Sequence, residues 1–460
     1  MPESPDQNPN IESGAGVRAD GPGFDTSPHI APVRYVSDAP GIGGQLKVRP
    51  GDFIVEEIPA YDPCGSGEHI YMYVQKVNLS TSQMVGIVAN HFGVRVGDVG
   101  IAGLKDKRAV TRQVVSVHAP GKVPEDFPML KHDLVSVLWT DLHTNKLRRG
   151  HLKGNRFAIK IRHTPIASVF SASKTLEILE RQGVPNRAGE QRFGYLHNNH
   201  VIGHWLVLGQ HKRAIDELLG PASLRTHTDL DEARENTGER SRDMYAKGDY
   251  VAAIKGLPAG AQTERAVLEG LLSGRAPDAI FRGLDDVQRT FFMSSLQSSV
   301  FNALLDARLE AGTFATLLEG DLAFKHDNHA VFPCDKATLE DPATGERLGK
   351  LEISPSGPMW GAGMLQAQGE PGRMELESLV KAGLTLEALQ TYTDRGGDGL
   401  SGGRRALRVP LTYPDVEAGS DEFGLYVRCS FELPPGSFAT VVMQEVMKGG
   451  PIVRGIEAKK

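Results

Sequence analysis

Cysteine is scarce. Only Cys64, Cys334 and Cys429 occur in 460 residues, far apart and with no Cys-x-x-Cys pair, so neither a zinc site nor a disulfide framework has support. No His-Glu-x-x-His helix motif and no Walker loop is present, which leaves a metal or nucleotide cofactor without a signature. No apolar run approaches the roughly 20 residues that cross a bilayer, and the N-terminal stretch lacks the apolar core of a secretory signal. The expected setting is the cytoplasm, with no membrane partner. What remains is an ordinary soluble balance, 40% hydrophobic and 23% charged, in a chain long enough for two or three domains.

The net charge of −6 argues weakly against a nucleic-acid partner, but its distribution is uneven. Glu3, Asp6, Glu12, Asp20, Asp25 and Asp38 against Arg18 and Arg34 place four of those six charges in the first 40 residues. That segment is rich in Pro, Gly, Asp and Ser, and residues 1–43 are expected to be a disordered acidic tail. From Gly44 the pattern becomes regular. "LKVRPGDFIVEEIP" reads as two strands around a Pro-Gly turn, and "HIYMYVQKV" (69–77) as the next strand. Ser80 with Gln83 forms a capping box for a helix buried through Met84, Val85, Ile87, Val88 and Phe92. "RFAIKIR" (156–162) alternates, with Phe157, Ile159 and Ile161 on one face and Arg156, Lys160 and Arg162 on the other. A helix over 166–182 stops at Gly183. Residues 210–310 are helix-rich; residues 321–365 look β-like, with "PSGPMWGAG" as a Gly/Pro loop; Trp205 and Trp360 read as packing residues and 395–405 as a flexible connection. A strand "FGLYVRCSF" and a last helix "SFATVVMQEVMK" close the chain. Strand-rich ends around a helical middle, without regular βαβ alternation, predict an α+β fold. The predicted division is 44–185 and 406–460 for one domain and 186–405 for an insert.

Two stretches could carry chemistry. In "AGLKDKRAVTRQ" (102–113), Lys105, Lys107, Arg108 and Arg112 crowd Asp106. If they face it, they favour its ionised form and suit it to be a nucleophile or a base; the bland alternative is a solvated turn. Residues 141–163 hold seven bases, Lys146, Arg148, Arg149, Lys153, Arg156, Lys160 and Arg162, against the single acid Asp141. Such a strip tracks a phosphate backbone, and an interleaved ring such as Phe157 accepts a stacked base; the alternative is a solvated sheet face with Phe157 in the core. Glu56 and Glu57 are adjacent on a strand and point to opposite faces, which suits ion pairing better than paired acid–base work.

Together these blocks resemble the TruD family of tRNA pseudouridine synthases. The resemblance rests on "GDFIVEE" (51–57), "AGLKDKRAVTRQ" (102–113), "LKGNRFAIKIR" (152–162), "GVPNRAGEQRFG" (183–194) and "LPPGSFATVV" (433–442), in the family's order. It implies a pseudouridine synthase-like α+β fold: a mixed, mainly antiparallel sheet flanked by helices, carrying a helix-rich inserted domain. It implies an isomerase that needs no cofactor or metal and converts a uridine of tRNA, typically at about position 13 in the D-arm region, to pseudouridine. The family's catalytic aspartate maps onto Asp106. Its substrate contacts map onto Phe53, Asn155 and Phe438, with Phe157 and Lys105 alongside, and Arg148, Arg149 and Lys153 are expected on the RNA backbone. Asp106 would attack the sugar, attack the base or take the C2′ proton. No protein partner is implied. One departure stands out: Arg187 and Ala188 occupy a place where the family usually has two aromatic residues. An arginine there could contact phosphate. The alternative readings are an RNA-binding or tRNA-folding protein on the same scaffold, and an enzyme that breaks the nucleoside bond without rejoining it.

Overall fold

The structure, a computed structural model, describes residues 23–220, 232–258 and 260–449. Its centre is a sheet built from β1 (Phe53–Pro59), β2 (His69–Val77), β3 (Val99–Ile101), β4 (Val110–His118), β5 (Val135–His143) and β6 (Leu152–Arg162). A C-terminal hairpin, Thr412–Asp421 and Gly424–Leu433, completes it. The order runs from the outer hairpin strand through the inner one to β6, β1, β4, β2 and β5, with β3 added to β4. Only β1 and β4 pair in parallel. The expected α+β sheet is therefore present.

One face of this sheet is apolar because the strands alternate. On β6, Phe157, Ile159 and Ile161 are buried, in register with Val427, Cys429 and Phe431 of the hairpin. They pack against the helix Val169–Gln182 and the C-terminal helix Ala439–Met447. Further along the same face, Ile70, Met72, Val74, Val115 and Val117 pack against the helix Thr81–Phe92. That helix starts at the predicted capping box, where Ser80 Oγ accepts from the Gln83 N–H and Gln83 Oε1 accepts from the Ser80 N–H. Gly154 is required by close packing: a Cβ there would lie 2.5 Å from the Leu433 carbonyl oxygen.

The chain leaves this domain at Val184–Pro185 and returns at Arg408–Val409, and those two segments pair antiparallel. Between them lie helices and a four-stranded sheet around a separate core that includes Trp205, Trp360, Phe281 and Phe292.

Several local expectations need correction. Residues 44–49 contribute one bridge, Gln45 to Arg162, and no strand. "PSGPM" is not loop but part of the strand Ile353–Met359, where Arg404 side-chain bonds to the Ser356 oxygens support a segment short of N–H donors. The supposed flexible connection ends in a strand, Gly403–Ala406. Residues 1–22 of the predicted tail lie outside the described residues, but 23–43 are ordered. Phe24 stacks on His204, the Asp25 N–H bonds the Lys381 carbonyl, and Asn302 donates to Pro28 O. Val36, Ile42 and Gly43 then bond the C-terminal helix. Composition misled here because hydrogen bonds to distant elements, with a few apolar anchors such as Phe24 and Ile42, hold this strap.

Candidate active site

Between the two apolar cores the same sheet face turns polar. Lys76 continues the inward row Ile70, Met72, Val74; Thr111 and Gln113 continue Val115 and Val117; Glu57 and Asn155 stand opposite each other beyond Val55 and Phe157. Glu57, Lys76, Thr111 and Gln113 are fully or almost fully buried. Among the described residues, Thr111 Oγ1, Gln113 Oε1 and Asn155 Oδ1 are buried acceptors with no partner. An unpaired buried acceptor costs stability, so three of them on one face single this seam out as a candidate site.

Asp106 sits in the loop beside this seam, its side chain 29% exposed. The crowd of cations expected around its carboxylate is not there. Lys107 and Arg108 are exposed, and Arg112 bonds Gln75 and Glu56. Lys105 turns inward to Glu57, at 2.5 Å, in a pair sealed from solvent. Burial pushes the Glu57 carboxyl above its ordinary value, against the pull of Lys105. The cation that holds Asp106 is Lys47, 59 residues away in sequence, with Nζ 2.9 Å from Oδ1. Lys47 has a φ of 55°, a left-handed conformation uncommon outside glycine, and its ammonium also lies 4.1 Å from the centre of the Phe53 ring. Lys76 Nζ donates to the Asp106 carbonyl at 2.7 Å.

The predicted substrate residues divide. Asn155 lies in the seam. Phe438 caps the C-terminal helix half-buried, against Gly189 of the insert. Phe53 is 1% exposed, edge-on to Phe157. Phe157 is buried between Phe53 and Phe431, so it is a packing residue with no face for a base. Lys105 is committed to Glu57, which removes it from the cations able to meet a phosphate.

The basic strip also divides. Arg156 pairs with Glu432 and Glu56, Lys160 with Asp421, and buried Arg162 with Asp52 and Asp421. All three leave β6 on the face opposite Asn155. Arg148, Arg149 and Lys153 are exposed, and among the described residues no acid pairs with them. Their turn is bound to the start of the Asp106 loop, with the Gly150 N–H on the Ala102 carbonyl. Arg187 is not a phosphate contact: it is 1% exposed and paired with Asp306. The sequence reading missed Lys47, Lys76, Thr111 and Gln113. For the last three a signal existed, because each is a polar residue at a buried position of an otherwise apolar row.

Among the described residues no cluster of three or more His, Cys, Asp or Glu side chains could hold a metal ion, and no helix is long and apolar enough to cross a membrane.

The sequence pattern of tRNA pseudouridine synthase D (TruD) matches residues 31–446. A tRNA pseudouridine synthase D from Geobacter sulfurreducens is 38% identical over 423 residues, 90% of this chain and 97% of that protein. One from Thermus thermophilus is 35% identical over 421 residues, 91% of this chain and 93% of its own length. A crystal structure from Methanosarcina mazei, assigned as a TruD protein, superposes with a TM-score of 0.75 at 27% identity, covering 92% of this chain and 98% of its own. A match this long, over nine tenths of the chain, means that the chain belongs to the TruD family of tRNA pseudouridine synthases.

Proposed function

We propose that this protein isomerises a uridine of tRNA to pseudouridine, at about position 13, with Asp106 as the reacting group. The observation that carries the reading is the carboxylate of Asp106, tied to Lys47 and partly exposed beside a seam with three unpartnered buried acceptors. We take 44–185 with 406–460 as the catalytic domain and 186–405 as the insert; the antiparallel pairing of Val184–Pro185 with Arg408–Val409 supports that division.

The reaction breaks the bond from ribose C1′ to N1 and makes one from C1′ to C5. A proton leaves C5 and N1 gains one, so no oxidant or reductant is consumed. The uridine first has to leave its stack, at a cost of a few kcal/mol. Phe438, the half-buried ring, can return about 1–3 kcal/mol by stacking. Asn155 accepts from the uracil edge through its free Oδ1. Phe53 supports Lys47 from below rather than stacking on the base. In each of the three routes, attack on C1′, addition to the base or removal of the C2′ proton, the atoms that act are the oxygens of Asp106.

The test is a map of pseudouridine in bulk tRNA from cells with and without the protein, repeated with purified protein and unmodified transcripts. We expect one position in the D-arm region to gain pseudouridine, with no free uracil released. Modification confined to another arm would overturn the position, and uracil release would overturn the isomerase. The basic turn gives a second expectation. Neutralising Arg148, Arg149 and Lys153 together should weaken tRNA binding and lower the slope of log K against log salt by ~2. A slope equal to that of the unaltered protein would move the phosphate contacts elsewhere.

A further inference from the structure

Lys76 is a buried cation without a carboxylate of its own. Its side chain is wholly shielded from solvent, and its ammonium donates to two carbonyls, Leu79 O and Asp106 O, both at 2.7 Å. Leu79 immediately precedes the cap of the helix Thr81–Phe92, whereas Asp106 belongs to the loop before β4. One ammonium therefore clamps a helix entry to the peptide unit of the residue that bears the reacting carboxylate. The neighbouring peptide is fixed by a different device: Thr81 Oγ1 accepts from the Lys105 N–H at 2.9 Å. Lys76 buries a charge, which is costly, and directs it at two main-chain carbonyls, one of them on the residue that bears the carboxylate; methionine would fill the row but leave both carbonyls without this donor.

We propose that Lys76 is a positioning residue for the isomerisation: it holds the Asp106 backbone so that the carboxylate meets the nucleotide at the required distance. The inference rests on Asp106 being the reacting group. Because the clamp is charge-assisted, it weakens when Lys76 loses its proton. Burial pushes Lys76 down to about 8, with Lys105 adding to the push and Asp106 opposing it. The charged groups around it are Asp106 and Lys105 on the loop, Lys47 through Asp106, and Glu57 through Lys105. A folded value below the unfolded one means that this group disfavours the fold while it is charged. Its contribution to stability thus improves as pH rises through about 8. A rate that falls across the same window is a loss of positioning and not of folding.

The experiment is single-turnover pseudouridine formation on a tRNA transcript across about pH 7 to 9.5, together with tRNA affinity, for wild type, Lys76→Met, Lys76→Arg and Asp106→Asn. For Lys76→Met we expect a rate about 10²-fold lower with affinity unchanged, the scale on which a small misplacement of a reacting group acts. The wild-type rate should decline on the alkaline side. Lys76→Arg should recover part of the rate and lose that decline, since its charge persists. A Lys76→Met protein with the wild-type rate, or one whose rate falls only as far as its affinity, overturns the proposal. If Lys76→Met does not fold, a wild-type profile flat across the range overturns it instead. Activity in Asp106→Asn would overturn the role of Asp106 itself; an inactive Asp106→Asn beside an active Lys76→Met would overturn Lys76 alone.

Discussion

Asp106→Asn is expected to abolish pseudouridine formation, with a loss of about 10⁴-fold or more, the scale on which removal of a single reacting group falls. Asparagine keeps the size and the planar end of aspartate. It can neither attack C1′ or the base nor remove a proton, so all three routes stop together. Lys47 keeps a neutral acceptor in place of its 2.9 Å anionic partner, and the Lys76 bond to the main-chain carbonyl is untouched. The loop should therefore stay where it is and tRNA should still bind. Binding measured by filter retention, beside modification measured by mass spectrometry, separates the two effects. Modification at more than about a hundredth of the wild-type rate would show that another group does the chemistry. An unaltered protein that binds tRNA and never modifies it would favour the RNA-binding reading.

The charge environment of Asp106 shows where a sequence can and cannot be read. The helix at Ser80 and the strand at Phe157 were legible because their signals are local: a capping pair three residues apart and an alternation of period two. The proposal of Asp106 as the reacting group likewise rests on a local signal, a short block of sequence. The partner of Asp106 was not legible. Four cations lie within six residues of Asp106, yet the one that reaches it comes from Lys47, set by a left-handed turn for which the residue type gives no hint. Part of the basic strip misled for a related reason. Arg156, Lys160 and Arg162 read as a free positive face, but Glu432 and Asp421, more than 250 residues away, close over them. Sequence spacing reveals which face a side chain takes, not what the rest of the chain brings to meet it.

Arg187 carries that point to its largest energetic consequence. Its guanidinium is buried and bonds both oxygens of Asp306, on the long helix Asp286–Glu310 of the insert, while Nη1 also donates to the carbonyl of His29 on the N-terminal strap. His29 closes the arrangement with one ring nitrogen on Asp306 and the other on Asp25. This chain joins strap, domain junction and insert through one buried ionic cluster. Arg187→Ala leaves Asp306 buried with only His29 and the Val33 N–H, and should cost about 3–5 kcal/mol, read as a lower urea midpoint. Arg187→Met with Asp306→Leu should cost much less, because no charge is left unpaired. A single variant as stable as wild type would mean that the strap carries no load. The pH dependence follows from the two shifts. Burial lowers His29, but the bonds to Asp306 and Asp25 outweigh it and its value lies above the ordinary one. Its contribution is complete below about pH 6.5 and is lost as pH rises through the folded value. Burial raises Asp306, but His29 and Arg187 outweigh it and its value lies below the ordinary one. That contribution is complete above about pH 3.9 and is lost as pH falls through the folded value. The cluster therefore contributes most between these limits, and His29→Ala should remove the alkaline arm of the stability profile and shrink the acid arm without abolishing it, because Arg187 still holds Asp306.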